Sequence, residues 1–390
     1  MTVSLLLLTL AALGDDPADC TKVDIFPFEP VHNHASCVVE CPDGDLLVAW
    51  YSGTGERTAD DVRIRGARKP AGATAWSATF EVADTPGYPD CNPAIGIAPD
   101  GALWVFWPTI LDHRWEGALL KFRRSTDYQR DDAPPAWDRD GIVHVTPVGF
   151  AEAMEKALEG LGPARPIVEH TVLDKVAERS KDELYQRLGW MPRVHPLALP
   201  SGRWLLPLYC DTFSASIVLR SDDQGGTWTT GAPMIGFGNI QPSLVRKKDG
   251  SIVAFMRENG PRRRIRTATT TDDGASWSAV TDTPLANPGA GVEAIALASG
   301  RWAMIYNDTV AGRNSLAVAL SDDEGATWPI VRHLERGPRG MQYHYPSIIQ
   351  ARDGALHATY TVGGDPRGST IRHAAFSEAW VAAGDPAASP

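Results

Sequence analysis

The 390-residue chain has no stretch long enough to cross a bilayer, no basic surplus and too few cysteines for a disulfide framework. The longest apolar run, Leu5–Leu13, is too short to span, although its length suits the hydrophobic core of a secretory signal. Residues 1–20 are therefore read as a signal peptide or unstructured lead, and a secreted or periplasmic location is expected. A formal net charge of −11 argues against a nucleic-acid surface, which needs a basic stripe, so no nucleic-acid partner is expected. Of five cysteines, Cys37 and Cys41 lie roughly 13 Å apart if extended in one strand, too far to bridge directly. The cysteines are expected as buried free thiols, because their spacing matches neither a zinc ribbon nor a redox pair. Nucleotide, flavin and haem fingerprints are missing too, so no cofactor and no metal are expected.

What the chain has is turns and large aromatics: 30 prolines, 36 glycines and 13 tryptophans. Three octapeptides are nearly identical: Ser221–Trp228 (SDDQGGTW), Thr270–Trp277 (TTDDGASW) and Ser321–Trp328 (SDDEGATW). They start 49 and 51 residues apart, a period that matches propeller blades. Each reads as a tight turn: hydroxyl and carboxylate bond the turn's own amides, glycine supplies positive φ, and tryptophan plugs the gap between blades. Decayed copies run from Ser125 to Trp137 and from Ala67 to Trp76.

A second repeat keeps phase with the first. Apolar runs follow Gly44, Gly101, Gly202, Gly250, Gly300 and Gly354. The sequence predicts an all-β, six-bladed β-propeller over residues 21–382, with 383–390 as a tail. The interval from Gly101 to Gly202 is 101 residues, about twice the others, and the excess falls between Trp137 and Arg193. Helical spacing of Phe150, Met154, Leu158 and Leu161 predicts a helical insertion over about 150–189 between blades two and three, placed over the pocket face as a lid or beside it as padding. Ser180 and Glu183 have the spacing of a capping box opening a further short helix.

Strands of a blade are antiparallel, so turns alternate between two faces. With the Asp-Gly turns and the octapeptides on one face, the other receives the first-strand starts and the second-to-third loops. The starts offer His34, Asn92, Arg193, Gln241, Asn287 and Tyr345; the loops offer Glu56, Arg57, Asp61, Asp211, Arg257, Arg264 and Arg313. Tyr209, Asn307 and Tyr360, at or near the ends of second strands, complete the candidate binding set. Converging arginines would hold a carboxylate by paired hydrogen bonds. A nearby acid would protonate a glycosidic oxygen, and a tyrosine would act as nucleophile or base.

The octapeptides, together with Arg313–Trp328 (RNSLAVALSDDEGATW) and Tyr345–Ile348 (YPSI), resemble the BNR/Asp-box sialidase superfamily. Blade one, from His34 to Ile64, is similar to the sialidase-like propellers of environmental bacteria. The resemblance implies that Arg313 and either Arg264 or Arg257 belong to an arginine triad. It further implies that Asp61 is the acid/base and Tyr345 the catalytic tyrosine. Departures are plain: His34 stands where an arginine is expected, Gln241 where the tyrosine's glutamate partner is expected, and the segment Thr359–Val362 lacks a buttressing glutamate. These speak against sialic acid as the substrate. The leading expectation is an exo-acting glycoside hydrolase on an acidic or deoxy-sugar glycan, with Asp61, Tyr345, His34 and Glu56 as its catalytic set. The alternatives are a propeller-type polysaccharide lyase using histidine and tyrosine, and a glycan-binding propeller without catalysis.

Overall fold

The structure is a computed structural model that describes residues 20–130, 133–161 and 167–386, the side chains of 167–171 excepted. The segment read as a signal peptide lies outside the described residues, Cys20 aside. No helix among the described residues is long and apolar enough to cross a membrane.

Six antiparallel sheets are arranged as blades of a six-bladed β-propeller. Blade one, typical of the set, comprises His32–Glu40, Leu46–Gly53, Arg63–Lys69 and Phe80–Ala83. Blade three has its first strand in two pieces, Trp190–Pro192 and Leu197–Ala198, both paired with Trp204–Cys210. Blade six takes its outer strand from the other end of the chain: Thr21–Asp24 pairs antiparallel with Gly368–Phe376. Ring closure is thus made by backbone hydrogen bonds between the two ends of the described chain. Arg372, paired with Asp24 at 2.7 Å and Glu335 at 3.0 Å, reinforces it.

The octapeptides form turns between the third and fourth strands, as their chemistry demands. In the last of them Asp323 accepts from the Thr327 amide at 2.8 Å, the Thr327 hydroxyl at 2.6 Å and the Ser321 hydroxyl at 2.7 Å. Those bonds hold the Asp323 carboxyl down at about 2. Gly325 is needed twice over: its φ is +85°, and an added Cβ would meet Phe255 at 2.8 Å and Trp302 at 2.9 Å. Two of the box tryptophans pack on rings of the blade before their own, Trp228 on Phe106 at 5.9 Å and Trp328 on Phe255 at 5.8 Å. Trp328 is buried, whereas Trp228 and Trp277 remain half-buried at the outer edge, less enclosed than the expectation of plugs between blades. The carboxylate-to-turn bonds predict that Asp323→Ala lowers the unfolding free energy by about 1–2 kcal/mol. Because the folded pKa is depressed, this contribution is present above the unfolded carboxyl value and lost as pH falls toward about 2. Chemical denaturation at pH 7 and at pH 3 checks both: the gap between parent and variant should narrow at the lower pH.

Cys37, Cys41, Cys91 and Cys210 are buried free thiols, and Cys20 is a half-buried one. The insertion is helical at Phe150–Gly160, Ile167–Arg179 and Glu183–Arg187. Phe150 packs on Phe213 at 4.8 Å and on Trp190 at 5.7 Å, which fixes the first helix to the flank of blade three. The expected capping box is replaced by another cap. Asp182 accepts from the Leu184 amide at 2.8 Å, while the Ser180 hydroxyl turns back to the Ala177 carbonyl. Asp182 wins because it directly precedes the first helical residue, where a cap must sit.

Candidate active site

A pocket of about 380 Å³ opens where the first strands begin, and every blade contributes to it. Its wall carries His32, His34 and Glu56 from blade one, Asn92 and Trp115 from blade two, and Tyr209 and Asp211 from blade three. Gln241, Arg257 and Asn259 come from blade four, Arg313 from blade five, and Gln342, His344 and Tyr345 from blade six. None of the three box tryptophans lines it, in keeping with the placement of those turns on the other face.

A local backbone device aims several of these side chains inward. Asn92, Gln241 and Tyr345 adopt left-handed φ values of 42°, 55° and 53° at equivalent points of their blades, and Ala35 does the same at 57°. At three of these points the pairing register slips: between His34 and Cys37, Ile240 and Ser243, and His344 and Ser347. A bulge breaks the strict alternation of a strand, so neighbours such as His344 and Tyr345 both reach the pocket. Non-glycine residues in this conformation cost roughly 1–3 kcal/mol each and gather at functional sites. In blade five the equivalent position is Gly291, where a Cβ would lie 3.2 Å from Gln241 Oε1. The expected Asn287 instead folds its side chain onto its own turn, bonding Gly289 and Ala290.

Tyr345 is the centre. Arg257 donates to its Oη at 2.7 Å and Gln241 at 3.2 Å, and among the described residues no carboxylate hydrogen-bonds it. The Arg257, Arg313 and Arg193 guanidinium carbons lie 5.8, 5.7 and 5.1 Å from its ring. Arg313 donates to His344 Nδ1 at 2.8 Å and to the Gly289 carbonyl at 2.7 Å, so its remaining N–H groups are free for a ligand. Arg193 is fully buried beneath, tied to the Ser36 and Pro346 carbonyls, and closes the floor. Tyr209 Oη lies 3.3 Å from both Asn92 Nδ2 and Gln241 Nε2, leaving Asn92 Oδ1 and Gln241 Oε1 buried without partners.

His34 sits 4.1 Å from the Tyr345 ring and 4.5 Å from that of His344. Burial first, then neighbouring positive charge (His344, His32 and Arg313 at His34; Arg313, His32 and Arg257 at His344), holds both imidazoles well below the usual histidine range. Burial also pushes the Asp211 carboxyl up to about 6, with the Arg257 charge opposing it. One layer below the pocket, His195 meets Glu293 at 2.5 Å and the Val38 carbonyl at 2.7 Å. Burial opposes charge on His195, but Cys37 and Glu293 outweigh it and push the imidazole above the usual histidine range. A separate hollow lined by His195, Ser243 and Glu293 shares no residue with this pocket, and the fully buried Arg193 floors the site, so it is read as a pocket and not a through-pore.

Several sequence candidates stand elsewhere. Asp61 is exposed at the mouth of another hollow and caps its own loop, accepting from the Thr54 amide and hydroxyl. Arg264 is exposed and donates to the Pro284 carbonyl, which leaves Arg257 as the blade-four arginine of the pocket. Asn307 braces the Ser315 and Tyr343 carbonyls. Tyr360 is buried against Glu335 at 2.7 Å, since its strand turns that side toward the outer core. Arg57 lies at the rim, 5.2 Å from the Trp115 ring and 3.5 Å from Glu56. No described residue of the insertion lines the pocket; Arg179 reaches only as far as Glu116, at 3.2 Å, so the described part of the insertion flanks the mouth without lining the pocket. Conversely, His32, His344, Trp115, Asn259 and Gln342 were absent from the candidates, and Asp211 was offered by its loop without a catalytic role. One signal was available: Asn92-Pro93-Ala94, Gln241-Pro242-Ser243 and Tyr345-Pro346-Ser347 repeat at the first-strand starts.

These features define the chain as a six-bladed propeller with a blind, arginine-bearing polar pocket at one end of its channel. It belongs to the family described as BNR repeat-like domain, which matches residues 44–153 and 188–358. It is 27% identical over 355 residues to a sialidase of Micromonospora viridifaciens, covering 76% of this chain and 52% of the relative. The chain thus spans about half the length of that curated relative. Among solved structures, a protein of unknown function from Dyadobacter fermentans superposes with a TM-score of 0.68 at 16% identity, covering 91% of this chain and 97% of that one. The NanB sialidase of Streptococcus pneumoniae gives 0.68 at 12% identity, covering 91% and 70%. The leech intramolecular trans-sialidase gives 0.68 at 12% identity, covering 93% and 71%. At these identities the structural likeness establishes the fold.

Proposed function

We propose that the chain is an exo-acting glycoside hydrolase on glycans ending in an acidic sugar. The observation that carries this reading is the placement of Arg257 and Arg313 beside Tyr345 in a blind pocket. A blind pocket admits a chain end, and two guanidinium groups would pair with its carboxylate. The Tyr345 oxygen, hydrogen-bonded to no carboxylate among the described residues, suits attack on an anomeric carbon that bears a negative substituent. In that step the Tyr345 oxygen bonds the anomeric carbon as its hydroxyl proton passes to water, the glycosidic C–O bond breaks, and Asp211 gives its proton to the leaving oxygen. Water then attacks the anomeric carbon and gives one proton back to the Asp211 carboxylate, while the sugar–Tyr345 bond breaks and the Tyr345 oxygen recovers its proton from water. A larger cleft of about 720 Å³ shares Arg313 and Gln342 with the pocket and leads outward past Asn314 and Met341, with room for the leaving glycan. The relatives named as sialidases support the hydrolase class, while His34 and Gln241 argue for another acidic sugar. Export to the cell exterior, where such glycans are met, is part of the same proposal.

A second reading has its own support. Two neutral imidazoles, His34 and His344, stand within ring contact of Tyr345. Such a group can take the proton beside a uronate carboxylate, expelling the glycosidic oxygen and leaving a double bond. Incubation with a panel of acidic oligosaccharides separates the two. New reducing ends without near-ultraviolet absorbance are expected. Reducing ends with that absorbance would replace hydrolysis by elimination, and binding without turnover across the panel would leave a glycan-binding propeller.

A further inference from the structure

Blade one presents to the pocket two imidazoles and a carboxylate, and nothing in the proposed reaction uses this set as a whole. We propose that His32, His34 and Glu56 form a binding site for a divalent transition ion of the zinc class, with an open coordination position facing the pocket.

Each residue offers one ligand atom, and these atoms all lie within 4.8 Å of one another. His32 and His34 are two apart on one strand and so share a face, with ring centroids 5.1 Å apart. Glu56 descends to the same point from the following loop. A zinc ion takes nitrogen and oxygen at about 2 Å, so the three atoms need draw together by only about 1 Å. Two imidazole nitrogens and one carboxylate oxygen are a donor set that zinc accepts, with a fourth position left to water or substrate.

The surroundings are those of held ligands. Thr361 Oγ1 lies 3.0 Å from His34 Nδ1, which leaves Nε2 as the nitrogen free to coordinate. Outer partners of this kind fix ring orientation at metal sites. Tyr51 Oη donates to Glu56 Oε1 at 2.6 Å and lies 3.2 Å from His32 Nε2, bridging two of the three ligands. In a six-bladed ring, blade one stands opposite blade four, the source of Arg257. An ion there would put positive charge on the wall facing that arginine, where blade one has a histidine instead of an arginine. The sequence alone did not suggest it, because His-x-His followed by a distant Glu matches no short metal motif.

The test reads metal and not turnover, so its outcome is separate from that of the hydrolase reading. The full chain, stripped with a chelator, is dialysed against Zn²⁺ and analysed for bound metal; Co²⁺ is then added and its visible absorption recorded. One ion per chain and a Co²⁺ spectrum of nitrogen and oxygen ligation are expected. His34→Ala and Glu56→Gln should abolish both, Thr361→Val should weaken binding about 10–100-fold, and Asp61→Asn should change nothing. The partly exposed His32 gives a further variant, His32→Gln, to be used should His34→Ala fail to fold. No stoichiometric binding by the parent, or undiminished binding in the folded variants of His32 and Glu56, would overturn the proposal. The latter would mean that Tyr51, His32 and Glu56 form a hydrogen-bond chain only and that the ion lies elsewhere.

Discussion

Arg313→Lys is expected to weaken binding of an acidic glycan about thirtyfold, although it keeps the charge. Arg313 already spends two of its donors on His344 and Gly289, and these bonds hold the guanidinium plane in place beside Tyr345. A lysine ammonium is a single point and cannot both keep those anchors and offer two parallel donors to a carboxylate. Losing one charge-assisted bond in a partly desolvated pocket costs about 2 kcal/mol, which is the thirtyfold change. Titration calorimetry with the preferred glycan measures it directly. Arg264→Lys serves as the comparison, because that side chain is exposed outside the pocket and should leave affinity unchanged. Equal affinities for parent and Arg313→Lys would remove the carboxylate clamp from the proposal.

Asp211→Asn should leave binding close to that of the parent and lower kcat by about a hundredfold to ten-thousandfold, the usual worth of a general acid. The amide keeps the shape and cannot give up the proton. Burial raises the Asp211 carboxyl to about 6 and so keeps a usable fraction protonated near neutrality. Since the protonated form is the active one, kcat/KM of the parent should fall as pH rises above about 6, and this limb should vanish in Asp211→Asn. Asp61→Asn, in contrast, should reproduce the parent profile, because its carboxylate caps the Thr54 loop outside the pocket. Full turnover by Asp211→Asn would transfer the acid role to Glu56, the other carboxylate of the pocket wall. The two variants therefore separate, Arg313→Lys in affinity and Asp211→Asn in turnover.

The architecture was legible because its determinants are local. A turn such as Ser321–Trp328 encodes its own hydrogen bonds, its positive φ at Gly325 and its tryptophan plug within eight residues. Repetition at a period near fifty then fixes the number of blades, and alternation of turns between faces assigns the end of the channel that holds the site. For the same reason Arg313, Tyr345, Gln241 and Asn92 could be named from position alone, and the structure gathers them around one pocket.

The membership of the pocket was decided elsewhere. Whether a loop carboxylate points inward depends on how its loop folds over neighbouring blades. Asp61 satisfies the Thr54 amide beside it and turns away, while Asp211 lines the pocket from a loop of the same type. Strand residues carry a similar ambiguity: strict alternation would send only one of His344 and Tyr345 inward, and the left-handed bulge at Tyr345 sends both. Ring closure by Thr21–Asp24 and the His195–Glu293 contact below the pocket join residues about 350 and 100 positions apart, respectively. Sequence by itself therefore determined the repeat, the blade and the face, whose hydrogen bonds are made within a few residues. Tertiary structure decided which side chains meet, because contacts between blades are set by the packing of the whole ring and leave no periodic trace along the chain.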